Sequence, residues 1–149
     1  MTSTHAPVGR GTRVFNDAVR RLTDLGVNMA GAQTLTVRGR HSGAPHRIPV
    51  NPLVLDGRTY LVAPRGVTDW VRNARVDPHA ELRRGRRIRR VVLTEPGDDE
   101  VHVAVVRRYL AKWGWEVGRL LPEGLTPDAD DATLHRYRDA LPVFEVHPA

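Results

Sequence analysis

Cysteine is absent from the 149 residues. That excludes disulfides, thiol nucleophiles and thiolate metal ligands together. Lysine is almost absent as well, since only Lys112 among 23 basic residues is not arginine. The net charge of +6 is therefore carried by guanidinium, as in a chain encoded by a GC-rich genome, and basicity by itself selects no partner. No apolar run is long enough to span a bilayer, and Met1 to Gly11 lacks the apolar centre of a signal peptide, so the expected location is the cytoplasm. The usual enzyme signatures are missing too: there is no GxGxxG, P-loop, HExxH or GxSxG. Only His41 and His46 of the seven histidines lie near each other, without neighbouring carboxylates, so no metal site is expected.

What is present concentrates between Leu35 and Asn73. Ser42-Gly43 is a hairpin signal that leaves Gly43 free for positive φ. A turn there, or a four-residue loop from His41 to Ala44, sets Val37 opposite Ile48, Leu35 opposite Val50 and Arg38 opposite Arg47. Leu35, Val37, Ile48 and Val50 then share a core face, while Thr34, Thr36, Arg38, Arg40, Arg47 and Asn51 share the other. Facing arginines repel, so this pair calls for an anion or a carboxylate between them, unless both guanidiniums splay into water. Asp56-Gly57 marks a second hairpin, from PVNPLVL to TYLVA. Pro49 and Pro52 donate no backbone hydrogen bond, which requires an edge strand or a bulge. Pro64-Arg65-Gly66 leaves that hairpin, and Thr68 or Asp69 caps a short helix through Asn73. Its free amides beside Arg65 form a second anion-binding corner.

Along the chain, residues 1–11 read as a mobile tail and 12–149 as one domain. Thr12 to Leu25 forms an amphipathic helix with Val14, Phe15, Ala18, Val19, Leu22 and Leu25 on one stripe. It packs on the core or, with Arg13, Arg20 and Arg21 outward, associates weakly with a membrane surface. His79 to Thr94 is a further hairpin turning near Gly85, with six arginines in the eight residues from Arg83 to Arg90. No aromatic is interleaved among them, so the stacking of a single-stranded nucleic-acid groove is lacking and a solvated turn is expected. Asp98 to Leu121 carries Val101, Val105, Tyr109, Trp113, Val117 and Leu121 every fourth residue, interrupted by Gly114 and Gly118. Thr126-Pro127 starts a last helix that ends before Pro142, and Val143 to His147 is a closing strand. Antiparallel strands joined by tight turns, with helices set apart, indicate an α+β fold with a closed or nearly closed sheet.

Four motifs in order carry a resemblance: Gly39-Arg40-His41-Ser42-Gly43, Pro49-Val50-Asn51-Pro52-Leu53, Ala63-Pro64-Arg65-Gly66 and Thr68-Asp69-Trp70-Val71-Arg72-Asn73. Together they resemble the deazaflavin-dependent nitroreductase family, from about Leu35 to Val92, and the segment from Tyr109 to Leu121 is also similar. The resemblance implies a split β-barrel of the FMN-binding, pyridoxamine-oxidase-like kind, with flanking helices. It implies coenzyme F420, an 8-hydroxy-5-deazaflavin, as cofactor, and hydride transfer to quinones, nitroaromatics or other electron-poor small molecules. It implies a phosphate held by the first turn and the residues just after it, here Arg40, His41, Ser42, Gly43, His46 and Arg47. This chain has histidines where the family more often has lysine or arginine. The resemblance further assigns cofactor binding to Pro49, Val50, Asn51, Ala63, Pro64, Arg65, Gly66, Thr68, Asp69, Trp70 and Asn73. Tyr109 or Trp113 is implied on the acceptor side, and no catalytic residue is named. The alternatives are a split barrel binding FMN, a lipid or another cofactor without this turnover, and, less favoured, an arginine-driven nucleic-acid binder. Monomer and homodimer both stay open.

Overall fold

Asp56 and Gly57 take φ values of 53° and 77°, the positive pair that a two-residue type I′ hairpin demands. A computed structural model describes residues 32–149; the tail expected over 1–11 and the helix expected from Thr12 to Leu25 lie outside them. The Asp56-Gly57 turn closes β3 (Leu53–Leu55) onto β4 (Arg58–Val62), with Leu55 opposite Arg58.

The first hairpin differs from its expected register. β1 (Gln33–Arg38) pairs with β2 (Pro45–Val50) so that Leu35 faces Ile48, Val37 faces His46, Thr36 faces Arg47 and Arg38 faces Pro45. The Arg38/Arg47 pair does not exist. Arg38 instead pairs with Asp77 at 3.5 Å. The slip is two residues, so Leu35, Val37 and Ile48 keep their shared face. Its cause is a wider loop. The Gly39 N–H donates to the Ala44 carbonyl at 2.7 Å and the Gly43 N–H to the Gly39 carbonyl at 2.9 Å, with Gly43 at φ 75°.

The remaining elements are α1 (Asp69–Val76), β5 (His79–Arg84), β6 (Arg87–Thr94), α2 (Asp99–Val117), α3 (Asp131–Arg136) and β7 (Val143–Pro148). The seven strands of the described residues form one sheet in the order β2-β1-β5-β6-β7-β4-β3, antiparallel throughout. β2 and β3 are the two edges, yet only Asn51 and Pro52 separate them in sequence. The link is three Cα steps from Val50 to Leu53 and spans about 11 Å at most, so the sheet has to curl to bring these edges close. Pro49 and Pro52 thus sit at an edge and beside it, as their missing donors require.

The curl divides the apolar residues by strand alternation. Leu61, Phe144 and Val146 point inward, joining Leu35, Val37, Leu82, Val91 and Leu93 around Val71 and Ala74 of α1. Tyr60, Val62 and Val143 point outward under α2 and α3. The fourfold stripe of α2 supplies Val105, Tyr109 and Val117 to that outer core, with Trp113 partly buried against it. Asp98 caps α2 by accepting the Glu100 N–H at 2.8 Å, and Gly118 ends it. The last helix starts later than Thr126-Pro127. That pair forms a turn in which the Thr126 hydroxyl donates to Asp128 at 2.6 Å, while Asp130 caps α3 by accepting the Thr133 N–H at 2.9 Å. Pro127 serves instead as a packing partner for Gly114.

Candidate functional site

A cavity of about 370 Å³ opens at the seam where the sheet's edges approach. The end of β2 contributes Ile48, Pro49, Val50 and Asn51, and the end of β4 contributes Val62 and Ala63. Pro64, Arg65 and Gly66 continue the wall, Thr68, Asp69 and Trp70 form its floor at the start of α1, and Tyr109, Val117 and Leu120 close it from the outer layer.

The Ala63–Gly66 loop is held by backbone. The Ala63 N–H donates to the Pro142 carbonyl at 2.9 Å and the Gly66 N–H to the Ala63 carbonyl at 3.1 Å. Gly66 has φ 87°, and a side chain there would approach the Ala140 carbonyl to 3.2 Å, so glycine is needed for both reasons. The loop then delivers the chain to α1 with Thr68 at the N-cap. Thr68 makes no side-chain cap hydrogen bond, and its Oγ1 is buried without a partner. A buried hydroxyl at a helix head, next to unpaired N–H groups and inside a cavity, suits a polar or anionic ligand group. Trp70 is fixed by its ring contact with the buried Phe144 ring, 5.4 Å between centroids.

On the opposite wall, Tyr109 is only 4% exposed and stacks obliquely on Trp113 at 5.1 Å. Burial first, and then the Glu116 charge, push the Tyr109 hydroxyl up from its ordinary pKa. It therefore stays a neutral hydrogen-bond donor throughout the physiological range.

The turn residues stand apart from this lining. Arg40, His41, Ser42, Gly43, His46 and Arg47 do not line the cavity, nor do Asn73 and Trp113. Arg40 and Asn73 form a clamp: the Arg40 backbone N–H and its Nη1 donate to Asn73 Oδ1 at 3.0 Å and 2.7 Å. Arg40 also reaches the Asp69 carboxylate at 3.3 Å. The clamp ties the 39–44 loop to α1, whose first turn floors the cavity. Arg47 lies on β2 next to Ile48, half-buried, and Arg65 is exposed at the cavity rim. Sequence reasoning had not singled out Ile48, Val62, Val117 and Leu120 as cavity walls. Val117 belongs to the recognised α2 stripe, but apolar side chains carry no chemical signature of a wall.

The model of the F420H(2)-dependent quinone reductases matches residues 11–114. The chain belongs to the F420H(2)-dependent quinone reductase family. The match contains all four motifs from Gly39 to Asn73, and Tyr109 and Trp113 besides. No curated protein matches the chain significantly. Among solved structures, HutZ, the haem storage protein of Vibrio cholerae, superposes with a TM-score of 0.53 at 11% identity, covering 89% of this chain and 90% of its own. A pyridoxamine 5′-phosphate oxidase-type protein of Listeria innocua gives 0.52 at 12% identity, over 89% and 91%. General Stress Protein 26 of Bacillus anthracis gives 0.50 at 12% identity, over 87% of each chain. These identities carry the fold alone: this member of the quinone reductase family is a split-barrel protein.

Proposed function

We propose that the protein is an oxidoreductase that uses reduced coenzyme F420 to transfer hydride to an electron-poor small molecule such as a quinone or a nitroaromatic. One observation carries the reading. Asn51, Ala63–Gly66 and Thr68–Trp70, implied as cofactor residues by family motifs, converge on one cavity that also receives Tyr109. The donor set fits an anionic, ring-bearing cofactor: an orphaned Thr68 hydroxyl, the free amides of α1, Arg65 at the rim and a flat Trp70 wall.

When bound, the reduced deazaflavin supplies the hydride. The chain's own groups bind, orient and dry the site. Thr68 and the α1 amides hold negative charge, with Arg65 adding its fork of donors. His46 and Arg47 would serve the phosphate beyond the lining. Trp70, on the buried Phe144, gives a rigid face against which a ring is positioned. Ile48, Val117 and Leu120 exclude water, and Tyr109 offers its neutral hydroxyl to the acceptor. No nucleophile is needed, in keeping with the missing triad and thiol.

The test is titration of the apo-protein with F420 and with FMN, followed by ring fluorescence, and mass spectrometry of what co-purifies from a host that makes the deazaflavin. Tighter binding of F420 is expected. A preference for FMN, or equal affinities, would overturn the assignment in favour of an FMN-binding split barrel.

A further inference from the structure

The β5–β6 hairpin reaches past both of its neighbours. β1 pairs with β5 only from Ala80 to Arg83, and β7 pairs with β6 only from Val91 to Thr94. Among the described residues, 84–89 therefore stand clear of the sheet on either side, as a two-stranded prong turning at Gly85, whose φ is 61°. Arg83, Arg84, Arg86, Arg87, Arg89 and Arg90 all lie exposed on or beside it. Arg83 Nε donates to the Gly85 carbonyl at 2.9 Å, which stiffens the tip. Among the described residues, Arg84, Arg86, Arg87 and Arg89 form no ion pair or side-chain hydrogen bond.

The register sharpens the point. Arg84 sits directly opposite Arg87, and the one rung of opposite sign is Glu81 with Arg90. Like charges facing across an antiparallel pair destabilise it, and nothing within the described fold compensates this one. On the other face of the prong, Ile88 is 53% exposed, opposite Arg83 and two residues from Arg86 and Arg90. An isolated exposed aliphatic needs no explanation. One at the free end of a projecting, uniformly cationic ribbon has a use, because it can enter the apolar side of an interface whose surface is anionic.

We propose that this prong docks on an anionic lipid bilayer surface, with the arginines on lipid phosphates and Ile88 at the acyl boundary. The arginine stems would lie along the apolar layer while their heads stay with the phosphates. Two signals, charge and apolar insertion, are what reversible surface association requires. A nucleic-acid groove is the lesser match, since it would place aromatic rings among the cations and His79 to Thr94 holds none. The inference is independent of the cofactor reading, because the prong contributes no residue to the cavity.

The experiment is flotation of the full chain with vesicles of phosphatidylcholine alone, or of phosphatidylcholine mixed with phosphatidylserine. The parent should float only with the anionic vesicles and release as salt rises. Arg86→Ser/Arg87→Ser should weaken that binding by roughly tenfold to thirtyfold, at about fivefold or somewhat less per cation. Ile88→Ser should weaken it further without changing the salt dependence. Thermal melting should be unchanged in Ile88→Ser and unchanged or slightly raised in Arg86→Ser/Arg87→Ser, where the repulsion from Arg84 is relieved; should the arginine variant fail to fold, Arg84→Ser/Arg89→Ser replaces it, and Ile88→Thr replaces Ile88→Ser. Failure of the parent to float, equal flotation with neutral vesicles, or tighter binding to duplex DNA with no effect of Ile88→Ser would each overturn the proposal.

Discussion

Asn73 is the residue whose removal most directly tests how the turn is joined to the cavity. Its side chain is 3% exposed, and a single oxygen accepts two hydrogen bonds, from the Arg40 N–H at 3.0 Å and from the Arg40 guanidinium at 2.7 Å. The first is a neutral bond, worth about 0.5–1.5 kcal/mol net, and the second is charge-assisted, worth about 1.5–3 kcal/mol. Their sum is an upper limit. The Arg40 side chain keeps 23% exposure and retains Asp69 at 3.3 Å, so part of its loss is recovered. Asn73→Ala should then cost about 2–3 kcal/mol, which for a chain of this size lowers the melting temperature by about 5–10 °C. Asn73→Asp keeps the accepting oxygen and adds a charge complementary to Arg40. It should stay within about 1 kcal/mol of the parent. Urea unfolding followed by tryptophan fluorescence reads both, with the slope checked for constancy. If Asn73→Ala is as stable as the parent, or Asn73→Asp falls as far as Asn73→Ala, the clamp does not hold the loop.

Arg47→Ala should weaken cofactor binding roughly tenfold to a hundredfold and reduce its salt dependence, with turnover at saturating cofactor near the parent's. Unchanged affinity in it and in His46→Ala would remove the phosphate from this turn. Gly114→Ala would raise helix propensity by about 1 kcal/mol in an exposed helix, but here the added methyl would lie 2.7 Å from Pro127 Cβ. It should destabilise instead, by about 1–3 kcal/mol in a thermal melt, and a stabilised variant would contradict that packing. His102 is buried and donates Nε2–H to the Leu141 carbonyl at 2.8 Å; burial holds its pKa below the usual value, against that hydrogen bond. Unfolding frees it to bind a proton near its ordinary pKa of about 6.5, so stability should fall as pH drops below that value. His102→Gln should flatten this part of the profile, and parallel melting curves against pH would refute the assignment.

Where local chemistry decides structure, the amino-acid sequence was readable. Asp56-Gly57 dictates its own turn, Asp98 caps the helix it precedes, and Pro49 and Pro52 declare an edge without any knowledge of neighbours. The first hairpin failed because its loop is shaped from outside. Arg40 is drawn to Asn73, 33 residues away, and no turn rule contains that contact. Thr126-Pro127 failed for a similar reason: a good helix start is used as a tight turn while Pro127 fills the notch at Gly114. At the site, polar and glycine-bearing motifs announced themselves, and ten of the residues they marked line one cavity with Tyr109. The aliphatic walls did not, because only the long-range packing of α2 against the curled sheet brings Ile48 and Val117 to one cavity.

That sheet order has a consequence for how the protein assembles. β7 follows every other strand in sequence, yet it lies between β6 and β4. Before it arrives, the described strands divide into two separate pieces, a four-stranded ribbon and the small β3–β4 hairpin. Its insertion is a keystone step that couples residues more than eighty positions apart, such as Leu61 with Phe144, and such distant pairings are slow to form. The Pro142 carbonyl that anchors Ala63 comes with it. A ribosome-bound chain lacking β7 therefore lacks the anchor of the Ala63 wall, and ligand binding at the cavity becomes a reporter of completed folding.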